Sequence, residues 1–378
     1  MQTFILGRRE KALREDLLRR GTLSFMSRRG VRPVDRALIE ALPKAAPTRI
    51  LTGLDTEGAL VLAARAVHPS ADVRWYHFDV YLAEKVAATL CANDADASCA
   101  QAIPDLPGFV RGGEPTERFD LIALPFPSGG EALFAREIIE EAHDLLTEGG
   151  KLLASTDRRP DWLIKVAREV FGKVDVVTQE DGSVIHAVRR SARPAWKDHA
   201  HVIRLEARAR AFEFETRAGV FSYGHADRGT KALLAAAEIP AKARILDIGC
   251  GYGVLGIVAA ALSGGTCVLV DSSARATDLA QRNLARAGLV GSRVELKADP
   301  SGMGDECFDV VLANPPYFSD FRIAEAFIRG AHRALVDGGA LWLVAKAVAE
   351  HAQRVEEVFG DADQAEEDGY GIIHAVRR

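Results

Sequence analysis

The chain has 378 residues, 48% of them hydrophobic, and a formal charge of −5, which is enough to bury more than one core and long for a single domain. It has no run of eighteen apolar residues, and Met1–Gln2–Thr3–Phe4 leads straight into charges, so neither a membrane-spanning helix nor a signal peptide is expected. Its five cysteines (Cys91, Cys99, Cys250, Cys267, Cys307) show no metal or redox spacing, which excludes a disulfide scaffold and suits a reducing cytoplasm.

Charge is unevenly spread. Residues 1–50 carry 12 Lys and Arg against 5 Asp and Glu, a balance of +7, and residues 51–190 carry 14 against 23, a balance of −9. The basic front comprises Arg8, Arg9, Lys11, Arg14, Arg19, Arg20, Arg28, Arg29, Arg32 and Arg36. It reads either as the solvated face of a helix over Glu10–Arg20 or as an arm that contacts phosphate.

From Arg49 a doubly wound α/β pattern begins. Ile50–Leu51 starts a strand, Gly58–Val67 is helical, and Val73–Phe78 is a second strand that closes on Asp79. A helix over Leu82–Leu90 precedes a Pro-broken loop from Cys91 to Gly108 with at most a short strand. Phe119–Leu124 (strand), Glu131–Leu146 (helix), Lys151–Ser155 (strand) and Trp162–Phe171 (helix) follow, and Val174–Thr178 with Val184–Val188 form a closing hairpin. Ser191–Ala192–Arg193–Pro194 is a linker, which puts the expected domains at 1–190 and 191–378. Beyond it, Val202–Leu205 and Ala211–Glu215 alternate as a hairpin does.

The second half repeats the plan. Asp227 is placed to cap a helix through Glu238. Arg244–Ile248 is a strand, Gly249–Gly253 a glycine turn and Val254–Leu262 a helix. Thr266–Val270 ends on Asp271, Ala274–Ala287 is a helix closed by Gly288, and Val294–Lys297 ends near Asp299. Asp309–Ala313, Ile323–Leu335, Ala340–Val344, Val348–Phe359 and a final hairpin complete it. The repetition is literal in places. Ile185–Arg190 is identical to Ile373–Arg378, Phe119–Asp120 recurs at Phe308–Asp309, Gly149–Gly150 at Gly338–Gly339, and Arg49–Ile50–Leu51 at Arg244–Ile245–Leu246. The chain is a duplicated fold.

The copies differ where chemistry is expected. The second has Asp247-Ile-Gly-Cys-Gly-Tyr-Gly253 where the first has Thr52-Gly-Leu-Asp-Thr-Glu-Gly58. Glycines there allow backbone to approach a ligand at a helix N-terminus. Gly251, Gly253 and Gly256 also fit the dinucleotide fingerprint of an oxidoreductase, a pattern that is weak alone. The second copy ends its fourth strand on Asn314-Pro-Pro-Tyr317, where the first has Pro125-Phe-Pro-Ser128. Asn314 offers an acceptor, Pro315 and Pro316 add carbonyls without N–H donors, and Tyr317 offers a flat face. Such a corner suits a planar substrate with an exocyclic amino group. Asp79 matches Asp271 as an acid ending a strand, and we read it as structural.

With both motifs present, residues 217–378 resemble a class I S-adenosylmethionine-dependent methyltransferase that modifies amino nitrogens. Ala218–Gly219–Val220–Phe221–Ser222 followed by Asp227–Arg228–Gly229–Thr230 resembles the opening of the catalytic domain in bacterial small-subunit ribosomal RNA guanine-N2 methyltransferases. That family is built from two tandem halves. The resemblance implies two Rossmann-like folds, each with strand order 3-2-1-4-5-7-6, and the first copy degenerate. It implies that Asp271 accepts from the cofactor ribose, Asp299 from the adenine amino group, and that Gly249, Gly251 and Gly253 lie against the methionine part. Asp247 would favour its cationic end. Asp227 would either cap its helix or line the cofactor pocket, and Asn314, Pro315, Pro316 and Tyr317 would hold the target base. The implied partner is ribosomal RNA or a ribosomal subunit, met by a cytoplasmic monomer without a metal. Three alternatives stand beside this: methylation of a glutamine side chain or adenine N6, a nicotinamide oxidoreductase, and a non-catalytic RNA-binding or assembly protein.

Overall fold

A computed structural model describes residues 31–127, 130–157, 159–180, 182–192, 198–299, 308–316 and 321–378. The basic front as far as Arg29, the helix expected at Glu10–Arg20, Cys307 and Tyr317 lie outside these residues. The chain divides into two units, Met1–Asp198 and His199–Arg378.

In the first unit, helix α1 (Pro33–Ala41) leads into β1 (Arg49–Gly53), α2 (Ala59–Val67), β2 (Asp72–His77), α3 (Val80–Cys91), a single turn at Ala97–Cys99 and β3 (Ala100–Ala102). Then come β4 (Phe119–Pro125), α4 (Ala132–Leu145), β5 (Leu146–Thr156), α5 (Asp161–Phe171), β6 (Val174–Gln179) and β7 (Gly182–Val188). The seven strands lie in the order β3-β2-β1-β4-β5-β7-β6. Helix α1 is an element that the sequence reading passed over. It starts at Pro33 with Asp35 in its first turn, and buries Val34, Ala37 and Leu38.

The second unit opens with the hairpin β8 (His201–Ala207) and β9 (Arg210–Thr216), a separate two-stranded sheet. It continues with α6 (Arg228–Ala236), β10 (Arg244–Ile248), α7 (Val254–Ser263), β11 (Thr266–Asp271), α8 (Ala274–Ala287), β12 (Arg293–Leu296) and β13 (Phe308–Ala313). It ends with α9 (Arg322–Ala334), β14 (Leu335–Ala345), α10 (Val348–Phe359), β15 (Asp363–Glu367) and β16 (Tyr370–Val376). The sheet order β12-β11-β10-β13-β14-β16-β15 is that of the first unit and of the resemblance. The central strands are mostly apolar because both faces are covered. Ile245, Leu269, Val310 and Leu312 enter one core, and Leu246, Val268, Val311 and Leu341 the other.

The duplication reaches into detail. Leu121 pairs with Lys151 past a register shift after Phe119, and Val310 pairs with Ala340 past the same shift after Phe308. The long strands β5 and β14 therefore begin five residues before Lys151 and Ala340, ahead of the Gly-Gly bend. The repeated Arg at the end of the last strand has one task in each unit. The N–H of Gly149 donates to the Arg189 carbonyl and that of Gly338 to the Arg377 carbonyl, both at 2.8 Å, and each guanidinium returns to Leu146 or Leu335. No helix among the described residues is long and apolar enough to cross a membrane.

Candidate active site

Strands β10 and β13 run parallel with Ile248 opposite Ala313. The segments that follow, Gly249–Gly253 and Asn314–Pro316, therefore leave the sheet at neighbouring points. On the other side of β10 lies β11, so connections diverge to opposite faces here, where open α/β sheets form a crevice.

The glycine loop is fixed from below and from one side. The N–H groups of Gly249 and Cys250 both donate to the Val270 carbonyl, at 2.8 and 3.0 Å. Gly251 N–H donates to Asp271 Oδ2 at 2.8 Å, and Asp271 Oδ1 accepts from Ser273 N–H at 2.8 Å. One carboxylate thus ties the loop to the start of α8. Gly251 has φ +56°, and a Cβ there would meet nothing within 4 Å. Gly256 is the opposite case: a Cβ would stand 2.3 Å from Leu269 Cδ2 and 3.0 Å from the Asp247 Cβ. Asp247 forms the floor. It is fully buried, its Oδ2 accepts from Gly256 N–H at 2.8 Å, and its Oδ1 has no hydrogen-bond partner. Burial pushes its carboxyl up to about 7, against the Gly256 bond and aided by the charge of Asp271.

The second group stands on the neighbouring strand. Asn314 Nδ2 donates to Asp227 Oδ2 at 3.0 Å and to Thr230 Oγ1 at 3.1 Å. Asp227 Oδ2 also accepts from Thr230 N–H at 2.8 Å, so it caps α6 as well. With both amide N–H groups directed at the end of α6, the carbonyl oxygen of Asn314 is turned the other way. Pro315 is buried and Pro316 half-buried. Asp299 is exposed, three residues past the end of β12.

Of the residues singled out in the sequence, Asp247 and Asp271, on β10 and β11, come together with the loop glycines Gly249, Gly251 and Gly253, and Asp227 meets Asn314 beside them. Three others belong with them and were overlooked. Thr230 is the second acceptor of the Asn314 amide. Tyr252, buried in the glycine loop, donates from its hydroxyl to the His225 carbonyl at 3.1 Å. Asn283, fully buried on α8, donates to the carbonyls of Tyr252 and Glu215, at 2.9 and 3.0 Å, and binds the loop to β9. Asn283 left a trace in the sequence as an amide on the apolar face beside Leu279, Ala280 and Leu284. Thr230 left only its place in a capping turn.

The first unit holds different chemistry at the matching places. Pro33–Ala41 and Arg228–Ala236 are both nine residues long and keep the 195-residue offset of Arg49 and Arg244, so Arg32 stands for Asp227. Its guanidinium grips Asp35 through two bonds of 2.7 and 2.8 Å and donates at 3.0 Å to the carbonyl of Leu54, the counterpart of Gly249. Asp55 is fully buried and accepts from Trp75 Nε1 at 2.5 Å. The pairing of Asp79 with Asp271 does not hold. Strand β2 ends at His77, because Gly53 lies opposite Tyr76 as Ile248 lies opposite Val270. His77 therefore matches Asp271, and Asp79 matches the cap residue Ser273, as its bond from Leu82 N–H confirms. Burial, aided by the Arg32 charge, pushes His77 down to about 4.

Residues 211–374 match the family described as methyltransferase small domain. The ribosomal RNA small subunit methyltransferase C of Chromohalobacter salexigens is 34% identical over 180 residues, 46% of this chain and 53% of that protein. The protein of the same name from Klebsiella pneumoniae is 36% identical over 151 residues, 39% of this chain and 44% of that one. The chain thus spans about half the length of the curated relatives it matches. A solved structure, the T. thermophilus 16S rRNA N2 G1207 methyltransferase (RsmC) in complex with AdoMet and guanosine, covers 94% of both chains with a TM-score of 0.75 at 21% identity. The likeness to that structure is one of fold, and it takes in both sheets.

Proposed function

We propose that through residues 211–374, which match the methyltransferase small domain, the chain transfers a methyl group from S-adenosylmethionine to N2 of a guanine in small-subunit ribosomal RNA. The observation that carries this reading is the Asn314 amide, held through its Nδ2 by Asp227 and Thr230 so that its carbonyl is turned away from them, beside a complete glycine loop. The names of the relatives supply the substrate class: ribosomal RNA for the two curated proteins, guanosine for the solved structure.

The residues of the loop fit the cofactor. The space over Gly251 is open, the buried Oδ1 of Asp247 has no partner, and the Asp271 carboxylate stands at the crevice edge. Asp247 would face the cationic end of the cofactor and Asp271 its ribose hydroxyls, with Gly249, Gly251 and Gly253 against the methionine part and Asp299 toward the adenine. When bound, the cofactor supplies a methyl group on a sulfonium, which departs as a neutral thioether. The chain's own contribution is placement. An exocyclic amino nitrogen is a poor nucleophile because its lone pair is delocalised into the base. The Asn314 and Pro315 carbonyls would accept from its two N–H groups, orient it and stabilise the positive charge that develops there before a proton leaves. Holding nitrogen and methyl in line accounts for the rest of the rate. Tyr317 would replace the stacking that the base loses on leaving its helix. The basic residues up to Arg29 would contact phosphate, and the chain would act as a cytoplasmic monomer.

The test is transfer of labelled methyl groups to naked ribosomal RNA, to small subunits and to protein, followed by nucleoside analysis. Label on guanine N2 is expected, with Asn314→Ala slower in kcat by roughly 10²–10³-fold. Label on glutamine or on adenine N6, or an Asn314→Ala variant at full rate, overturns the reading.

A further inference from the structure

We infer that Asp227 and Thr230 are positioning residues, which decide the way round in which the Asn314 amide is held. The inference rests on the reading of the site as an amino-methyltransferase. An asparagine amide has an acceptor on one side and two donors on the other, and the two faces have nearly the same shape. Only the neighbours choose between them. If the amide were turned over, its N–H groups would confront one of the substrate's N–H groups, and the amino nitrogen would be left with the Pro315 carbonyl alone. In the structure Nδ2 lies 3.0 Å from Asp227 Oδ2 and 3.1 Å from Thr230 Oγ1. An ionised carboxylate accepts and cannot donate. The turned-over amide would therefore bring two acceptor oxygens together at that distance. Asp227 enforces the choice and Thr230 supports it.

The fold itself does not ask for this acid. The equivalent helix α1 forms in the first unit with Arg32 at its cap position, which makes no side-chain capping bond, and Pro125 stands where Asn314 would be. The acid and the amide occur together in the second unit and are absent together from the first. The contact also links positions 87 residues apart, beyond the reach of local capping needs.

The test separates capping from positioning. Serine caps a helix about as well as aspartate, but Asp227→Ser is too short to reach Asn314. It should keep thermal stability and cofactor binding near wild type while kcat falls up to about 10²-fold. Asp227→Asn can place an acceptor oxygen where Oδ2 stands and should recover most of that rate. Thr230→Val, which leaves the cap carboxylate in place, should lower kcat by several-fold. In an Asn314→Ala background, Asp227→Ser should add no further loss, since the two residues act as one. If Asp227→Ser turns over at the wild-type rate while Asn314→Ala is slow, the positioning role is wrong and the methyltransferase reading stands. If Asn314→Ala is itself fast, that reading falls first. A loss of cofactor affinity at unchanged kcat in Asp227→Ser also overturns the inference, in favour of a pocket-lining acid. Should Asp227→Ser fold poorly, Thr230→Val and Asp227→Asn decide: a Thr230→Val enzyme at full rate, or an Asp227→Asn enzyme as slow as Asn314→Ala, rejects the inference.

Discussion

Asp247 is a buried acid with one oxygen bonded to Gly256 N–H and the other without a partner. Its sequence position at a strand end gave it a charge-matching role, but nothing in the sequence said that it would be buried completely. Burial has a consequence that can be measured. The group is raised from 3.8 to about 7, so between those values the folded chain keeps a proton that the unfolded chain gives up. The stability this contributes is complete below about pH 4 and is lost as pH rises toward 7, at about 1.4 kcal/mol for each tenfold in proton affinity. A cation bound above the carboxyl reverses the preference and favours the ionised form. Cofactor affinity should therefore climb as pH rises to about 7 and level off above it, with proton release on binding in the climbing range. Calorimetry in buffers of different ionisation enthalpy would read that release. Asp247→Asn should abolish it, and an affinity in the wild type that is flat from pH 5.5 to 8.5 would show that no cation meets this acid.

At the scale of elements, the glycine loop and the helix after it contain two glycines that the sequence could not tell apart. Gly251 has a left-handed φ of +56° and open space beyond it, and Gly256 sits in a helix with its Cβ direction blocked by Leu269 and Asp247. Gly256→Ala should overpack the core and cost about 1–3 kcal/mol of stability. Gly251→Ala pays mainly conformational strain, about 1–2 kcal/mol, and places a methyl group where the methionine part would lie. A fall in melting temperature without loss of cofactor affinity in the first, and the reverse emphasis in the second, is the expected pattern; equal effects on both would mean that the open space is not the cofactor's. The strands and most helices were legible because their apolar periodicity is strong and their ends carry Gly, Asp or Ser. Helix α1 was also legible in principle, through Pro33, Asp35 and the spacing of Val34, Ala37 and Leu38. The basic run before it drew attention to charge instead, and Arg32 proved to be an internal partner of Asp35 rather than part of a surface arm. The bond from Asn314 to Asp227 and Thr230 was not legible, since it depends on side chains that only the fold brings together.

For the whole molecule, the duplication was the most readable feature, because identical hexapeptides and constant offsets need no structure to be seen. What the sequence showed as an eroded motif, the structure shows as a corner rebuilt around an internal cation. Arg32 takes the place of Asp227, bonds to Asp35, and reaches the Leu54 carbonyl where the second copy has Gly249. A neutral His77 stands in place of Asp271, the proposed ribose acceptor, and its Nδ1 accepts from Asp79 N–H as Asp271 accepts from Ser273 N–H. A cationic cofactor would have to share this corner with a guanidinium, and its ribose would meet no carboxylate. We therefore expect one S-adenosylmethionine per chain. Asp271→Ala should remove both the ribose acceptor and the anchor of Gly251, and weaken binding by at least about 1.5–3 kcal/mol, the range for a bond to a charged group. Asp79→Ala should leave binding untouched. It removes the cap on α3, where Asp79 accepts from Leu82 N–H at 3.2 Å, and should appear as about 0.5–2 kcal/mol of lost stability. Calorimetric stoichiometry near two, or a loss of binding in Asp79→Ala to match that in Asp271→Ala, would mean that the first copy still holds a site in spite of Arg32.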